Sequence, residues 1–358
     1  MSRFLILDIG AGTMDLLYYD TESDLHYKTV AKSPVLYLAE QAASLPGDLL
    51  ITGNEMGGGP ISQVLRKRAQ EGEVLMSTSS AATVHHDLNK VRSWGITILE
   101  DRDAEKVLHD SKYSVLTTGD LDTERLKHIV KGLGIPFSFD VVGICAQDHG
   151  TPPEGVSHLD YRHTIFKASL DNNPFPHALL YRNSEVPATL NRLTSIAESA
   201  TMLPTDEIYV MDSGMAAILG ATMDHRASQK ETVLILDVAT SHTVGAAIAD
   251  GEIAGFFEYH THDITLERLE SLVVELAEGK LEHTQILQEG GHGAYIRNAI
   301  GFQAVEIIVA TGPKRRLLEN SRLPITFGAP FGDNMMTGTV GVLEAIRRRK
   351  GLEPIPYL

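Results

Sequence analysis

Cysteine is almost missing from this chain: of 358 residues only Cys145 carries a thiol. One cysteine excludes an internal disulfide framework and agrees with a reducing compartment. It also excludes an iron–sulfur cluster held by several closely spaced thiolates of the same chain. Long apolar runs are missing too. None approaches the roughly 20 residues that cross a bilayer, and the first residues enter a strand-like run without a basic or apolar leader, so the cytoplasm is the expected compartment. Positive charge is scarce, with 31 Lys and Arg against 47 Asp and Glu and a formal charge of −16. That balance argues against a general affinity for nucleic acid or an anionic membrane. No Gly-Lys-Ser/Thr tripeptide occurs, which excludes a P-loop.

What the chain does have is a glycine turn between two carboxylates. Phe4-Leu5-Ile6-Leu7 runs into Asp8-Ile9-Gly10-Ala11-Gly12-Thr13-Met14-Asp15, a pattern of strand, turn and second strand. Gly10 and Gly12 can take positive φ and present no side chain, so successive N–H groups can converge on a phosphate beside the Thr13 hydroxyl. A dinucleotide fingerprint requires a third glycine and a helix at position 15, where the chain has Asp15 and the strand-like Leu16-Leu17-Tyr18-Tyr19.

The turn has a second copy. Leu-Ile-Leu-Asp at 5–8 recurs as Leu234-Ile235-Leu236-Asp237, followed by the small and hydroxyl residues Ala239-Thr240-Ser241-His242-Thr243. Each copy then runs through an apolar strand, an aspartate (Asp20 or Asp250) and a third strand, Leu25 to Ala31 or Ile253 to Tyr259. Repetition on this scale outranks a residue-by-residue reading of the fold.

The order of these motifs resembles the superfamily of actin, heat-shock chaperone ATPases and sugar kinases, whose two related lobes close on Mg-ATP. In that resemblance Asp8 to Asp15 is the first phosphate motif and Asp237 to Thr243 the second. Asp212 to Gly220 and Gly332 to Gly338 match the connecting motifs, and Ile307 to Gly312 the adenosine motif. It implies an α/β, two-lobed actin-like ATPase (ribonuclease H-like) fold of duplicated βββαβα lobes with a nucleotide cleft between them. The implied limits are residues 1–225 for the first lobe, 226–335 for the second, and a C-terminal helix within 336–358 that returns to the first. It implies ATP and Mg2+ as cofactors, with Gly10, Ala11, Gly12, Thr13, Asp15, Ala239, Thr240, Thr243, Thr311 and Gly312 on the nucleotide. Asp8 and Asp237 would hold magnesium through water, and Asp212 or Asp237 would orient a water or an acceptor hydroxyl. Ala239 departs from the glycine usual there and is expected to strain the second loop and slow turnover.

Gly53 to Pro60 and Gln147 to Gly150 narrow the resemblance to a prokaryotic family whose members carry the label of pyruvate formate-lyase activating enzyme. A lone Cys145 gives that radical chemistry no support.

Between the repeats, strands are expected at Leu49–Thr52, Val74–Ser77, Val115–Thr118, Val141–Ala146 and Ile208–Met211, alternating with helices near Ile61–Glu71, Leu121–Leu133 and Pro187–Met202. Residues 53–110 and 147–185 are surplus to a minimal lobe. In the second lobe helices are expected at Ile264–Glu278, Tyr295–Gly301 and Val340–Arg349, and Thr222 to Glu231 reads as a hinge. Gln147, Asp148 and His149 follow a strand end and are expected near an acceptor, against the simpler reading in which Asp148 only bonds its own turn. Among 15 histidines, His85-His86 and His260-Thr261-His262 are the densest groups. Neither has a recognised ligand spacing, and both are read as surface or hydrogen-bonded. The expected function is ATP hydrolysis or phosphorylation of a small molecule acceptor, or else a nucleotide-dependent switch or assembly role. Oligomeric state is left open.

Overall fold

The computed structural model describes residues 2–153 and 155–357. Its strands in chain order are β1 Arg3–Ile9, β2 Thr13–Asp20, β3 Leu25–Lys32, β4 Asp48–Gly53, β5 Val74–Ser77, β6 Thr97–Leu99, β7 Tyr113–Thr118 and β8 Phe139–Ala146. They continue with β9 Leu180–Arg182, β10 Thr205–Asp212, β11 Thr232–Val238, β12 His242–Ala249, β13 Glu252–His260, β14 Gly293–Ile296, β15 Ile307–Thr311 and β16 Ile325–Phe327.

Two six-stranded sheets carry the repeat. Their orders are β3-β2-β1-β8-β10-β9 and β14-β13-β12-β11-β15-β16. In each, three antiparallel strands continue, on the far side of the first strand, into two parallel ones. The shared order of third, second, first, fourth and fifth strand is that of the duplicated βββαβα lobe, so the chain has the two-lobed actin-like ATPase fold. Strands β1 and β11 are buried along almost their whole length, as sheets covered on both faces require.

The lobes meet where two helices cross. Helix Ser213–Thr222 follows the fifth strand of the first sheet and helix Thr337–Lys350 the fifth strand of the second. At the crossing, a Cβ added to Gly220 would overlap the carbonyl of Thr337, and one on Gly341 the carbonyl of Ala216. Positions 216 and 220 lie on one helix face, as do 337 and 341, so small residues at both let the backbones touch. Phe4, Ile6, Ile218, Leu219, Ile235, Val309, Val342 and Ile346 close one core around this crossing. The outer face of each sheet has a core of its own, and a third sheet of four parallel strands, β6-β5-β4-β7, forms another around Leu49, Ile51, Leu65 and Met76. That inserted unit takes in β4 and β7, wider than the surplus expected at 53–110.

Two expectations need correction. Tyr295–Gly301 is not helical. Gly293–Ile296 is an edge strand on β13, pairing Phe257 with Ala294 and Gly255 with Ile296. Tyr295 and Ile296 favour a pleated surface, and the helix of this stretch lies earlier, at His283–Gln288. The polar segment 222–231 does not read as a loose hinge either. It contains Asp224, 1% exposed, which accepts from the Arg226 side chain and from the N–H of Ala329, pinning the segment to the second lobe.

Candidate functional site

The cleft between the lobes encloses about 490 Å³ and is lined by both hairpin loops, the Gly57–Gly59 turn and the ends of β8 and β13. The two hairpins close identically: the N–H of Gly10 donates to Thr13 O at 3.0 Å, and that of Ala239 to His242 O at 3.0 Å. This leaves the N–H groups of Ala11, Gly12, Thr240 and Ser241 with no protein acceptor among the described residues. Successive unpaired N–H groups on a turn form a concavity suited to an anion. None of Gly10, Gly12 or Ala239 has positive φ, which corrects the strain expected in the second loop. Neither glycine makes a left-handed turn, Gly12 serves close approach to Thr240, and the methyl of Ala239 costs the backbone nothing there.

Asp8 and Asp237 occupy equivalent strand ends. Each has a polar side chain beside it on the neighbouring parallel strand: Cys145 is the register partner of Asp8, and Thr311 is the partner of Asp237, with Oγ1 3.1 Å from its Oδ1. Asp15 pairs with Asp8 across the hairpin, and its Oδ1 is buried without a partner. Burial, and then the neighbouring charge of Asp237, push Asp8 up to about 7. Burial and the Asp8 charge push Asp15 up to about 8. Burial lifts Asp237 to about 6 against the Thr311 hydrogen bond. Three crowded carboxylates with an orphaned oxygen suit a cation of high charge density. Gly338 is needed beside them, because a Cβ there would overlap the Asp8 carboxylate.

The other expected residues divide. Ala11, Thr13, Ala239, Thr240 and Gly312 line the cleft. Thr243 and Thr311 are fully buried behind it: Thr243 bonds Thr261, which in turn donates to Ala239 O, and Thr311 holds Asp237. They support the loop and do not face the cavity. Asp212 is 3% exposed and spent. One oxygen caps helix Ser213–Thr222 through the N–H groups of Gly214 and Met215, and the other accepts from Arg162 at 2.7 Å. It is not among the residues that line the cavity. Asp148 is likewise occupied by the N–H groups of Gly150 and Leu193, at 2.7 and 2.9 Å, the simpler of its two readings. Gln147, Asp148 and His149 all line the cleft.

Sequence reasoning missed the cations and the second-lobe acid that organise this wall. Arg162, from helix His158–Asn172, bridges Asp212 of the first lobe and Glu258 of the second, 2.7 and 3.2 Å away, and donates to Asp148 O. Burial alone would raise Glu258, but the Arg162 guanidinium overrides it and holds the carboxyl well below its usual range. Glu258 also accepts from Gln147, a second bond between the lobes. Arg192 grips Asp120 through two bonds, at 2.7 and 2.9 Å, and reaches Gln147 O. At the far end Glu55 accepts from His86, at 2.8 Å, and from Asn191, and this raises His86 above its ordinary pKa.

Histidines converge here from separate segments. His149, His242 and His292 each offer a ring nitrogen within 4.8 Å of the others. Burial, then the Arg162 charge, lowers His149 well below its usual value, and burial takes His242 down to about 3. His260, expected to be surface or hydrogen-bonded, lies 3.1 Å from the Nε2 of His292 and meets the His242 ring at a tilt and the His292 ring edge-on.

A family model described as "Putative pyruvate format-lyase activating enzyme (DUF1786)" matches residues 56–317, and the chain belongs to this family. Cys145, its only cysteine, is buried in β8, so the activity in that description has no thiolate set here. No curated protein matches the sequence. Among solved structures, the PilM-PilN type IV pilus biogenesis complex is 12% identical, with 98% of each chain covered and a TM-score of 0.40. MreB 5 of Spiroplasma citri bound to AMPPNP is 13% identical over 98% of each chain, with a TM-score of 0.39. The Lmo2764 protein of Listeria monocytogenes, described as "a putative N-acetylmannosamine kinase", is 9% identical over 97% of this chain and 99% of that one, with a TM-score of 0.36. Strand order, not these scores, makes the fold actin-like.

Proposed function

We propose that this member of the family binds a magnesium nucleoside triphosphate, ATP in the simplest case, between its two hairpin loops. The observation that carries the reading is the repeated hairpin. Two equivalent loops, each with unpaired N–H groups, face one cleft beside Asp8, Asp15 and Asp237. Asp8 and Asp237 would hold the metal's waters, with Asp15 adding charge. Magnesium, when bound, supplies the positive charge that phosphate oxygens and these acids both require. Gly312 and Pro313 would border the nucleoside, and Gln147, His149 and the Glu55–His86 pair would border a small acceptor at the far end. No helix is long and apolar enough to cross a membrane, and a cytoplasmic place belongs to the same reading, as do the lobe limits 1–225 and 226–335.

The activity is then hydrolysis of ATP or phosphorylation of that acceptor, with Asp237 orienting the attacking hydroxyl. One observation favours a second reading, a nucleotide-dependent switch or assembly protein with slow turnover. Asp212, the other acid suited to orienting a nucleophile, is held by Arg162 and a helix cap. Thermal melts test the binding: Mg-ATP raises Tm, and Asp8→Ala and Asp237→Ala each remove most of that rise while the folded protein persists. An undiminished rise in both variants sinks the site. Phosphate release by the wild type then separates turnover from a switch.

A further inference from the structure

The buried histidines at the lobe boundary have an arrangement that phosphate binding does not use. His149 comes from the segment after β8 in the first lobe, His242 opens β12, and His292 precedes β14 in the second lobe. In His242 one ring nitrogen is anchored, Nδ1 lying 2.8 Å from Ser241 Oγ, while Nε2 is buried without a partner. His292 resembles it in mirror image: Nε2 lies 3.1 Å from His260 Nε2, and buried Nδ1 makes no well-aligned hydrogen bond, its nearest polar neighbour being Glu258 Oε1 at 3.5 Å. A buried imidazole nitrogen left unpaired is costly. An imidazole whose far nitrogen is held by a hydrogen bond, leaving the near lone pair free, is the usual state of a metal ligand.

We propose that His149, His242 and His292 bind one divalent transition-metal ion of the zinc class, joining the first lobe to the second. Donor atoms within 4.8 Å of one another would close on the ion to the separation of about 3.4 Å set by metal–nitrogen bonds of about 2.0–2.1 Å in a tetrahedron. Three imidazoles and no thiolate suit Zn2+, Co2+, Ni2+ or Cu2+ and disfavour Mg2+. The charge is in place as well. Glu258 Oε1 lies 3.5 Å from His292 Nδ1, and Arg162 is matched by two carboxylates, so the surroundings are net negative. Three protein ligands leave a fourth position, and since His149, His242 and Glu258 line the cleft, it opens toward the cavity and an oxygen ligand there.

The site is independent of the nucleotide reading, so its test uses metal alone. The full chain, stripped with a chelator, is titrated with Zn2+ by calorimetry and with Co2+ by visible absorption. One equivalent binds, Co2+ gives the intense d–d bands of a tetrahedral site, and His149→Ala, His242→Ala and His292→Ala each weaken binding at least 30-fold. His262→Ala, a neighbour with an exposed side chain, and Asp8→Ala leave it unchanged. The proposal is overturned if the wild type takes up no stoichiometric metal, or shows no tetrahedral Co2+ bands, a result that needs no variant to fold. It is also overturned if His149→Ala binds normally, because the two lobes then do not share the ion.

Discussion

Gly12 and Thr240 face each other across the cleft: a Cβ added to Gly12 would lie 3.1 Å from both Oγ1 and Cγ2 of Thr240. The two loops are the same element of the repeat, and here they are nearly in contact. A larger side chain at Gly12 must push Thr240 aside, and spreading the loops should misplace the unpaired N–H groups proposed to meet phosphate without disturbing either core. Gly12→Val is therefore expected to weaken Mg-ATP at least tenfold, about 1.4 kcal/mol, with an apo melting temperature close to wild type. Calorimetric titration measures it, and unchanged affinity would place the phosphates elsewhere.

The crowded acids set a pH dependence for the ligand-free protein. Asp8, Asp15 and Asp237 are pushed up to about 7, 8 and 6, chiefly by burial. Their folded values exceed the unfolded ones, so the folded state binds more protons. Stability from these groups is full below about pH 4 and is lost as pH rises to about 8. Apo Tm should fall from pH 5 to pH 8. Asp15→Asn should flatten that slope and raise Tm at pH 8 by about 1–3 °C, while costing nucleotide affinity. A slope unchanged in Asp15→Asn would contradict the crowding.

The repeat was legible because period and order survive in sequence. Leu5 to Asp8 and Leu234 to Asp237 are buried strand ends on equivalent strands, and a strand end that opens on a cleft keeps its acid. The rest was not legible for a physical reason. Arg162 meets partners 50 and 96 residues away, so nothing local marks it as the bridge between lobes. Cys145 and Thr311 come to equivalent places beside Asp8 and Asp237 only because their strands lie beside β1 and β11 in parallel register. Density along the chain singled out His260 and His262, while the group that assembles draws single histidines from three segments. The one sequence signal was positional: His242 occupies the place in the second repeat that Thr13 holds in the first.

Ala239 is a departure from the usual glycine that costs nothing. Its φ is not positive, and at the equivalent Gly10 an added Cβ would meet only Thr13 O, at 3.4 Å. Ala239→Gly should then leave nucleotide affinity and any turnover within about twofold. It should lower stability by about 0.5–1 kcal/mol through the greater freedom of glycine in the unfolded chain. Faster turnover in the variant would show that the methyl does obstruct the loop.

Arg162 neutralises Asp212 and Glu258 at once, with every one of the three side chains at most 6% exposed. Replacing it with Met leaves two buried carboxylates without their countercharge, and breaking a buried pair in this way costs about 3–5 kcal/mol. Arg162→Lys should not restore the loss, since one ammonium cannot span two acids and the carbonyl of Asp148 as the guanidinium fork does. The cost should rise with pH, because protonating the abandoned acids relieves it. In Arg162→Met the stability deficit is thus largest near pH 8 and shrinks toward pH 5, opposite in origin to the crowding of Asp8 and Asp15. Adding Glu258→Gln to Arg162→Met removes one orphaned charge and should recover part of the deficit. Denaturant melts of the single and double variants at both pH values measure this. A double variant less stable than Arg162→Met at pH 8 would show that Glu258 is held by Gln147 and His292 and owes little to the arginine.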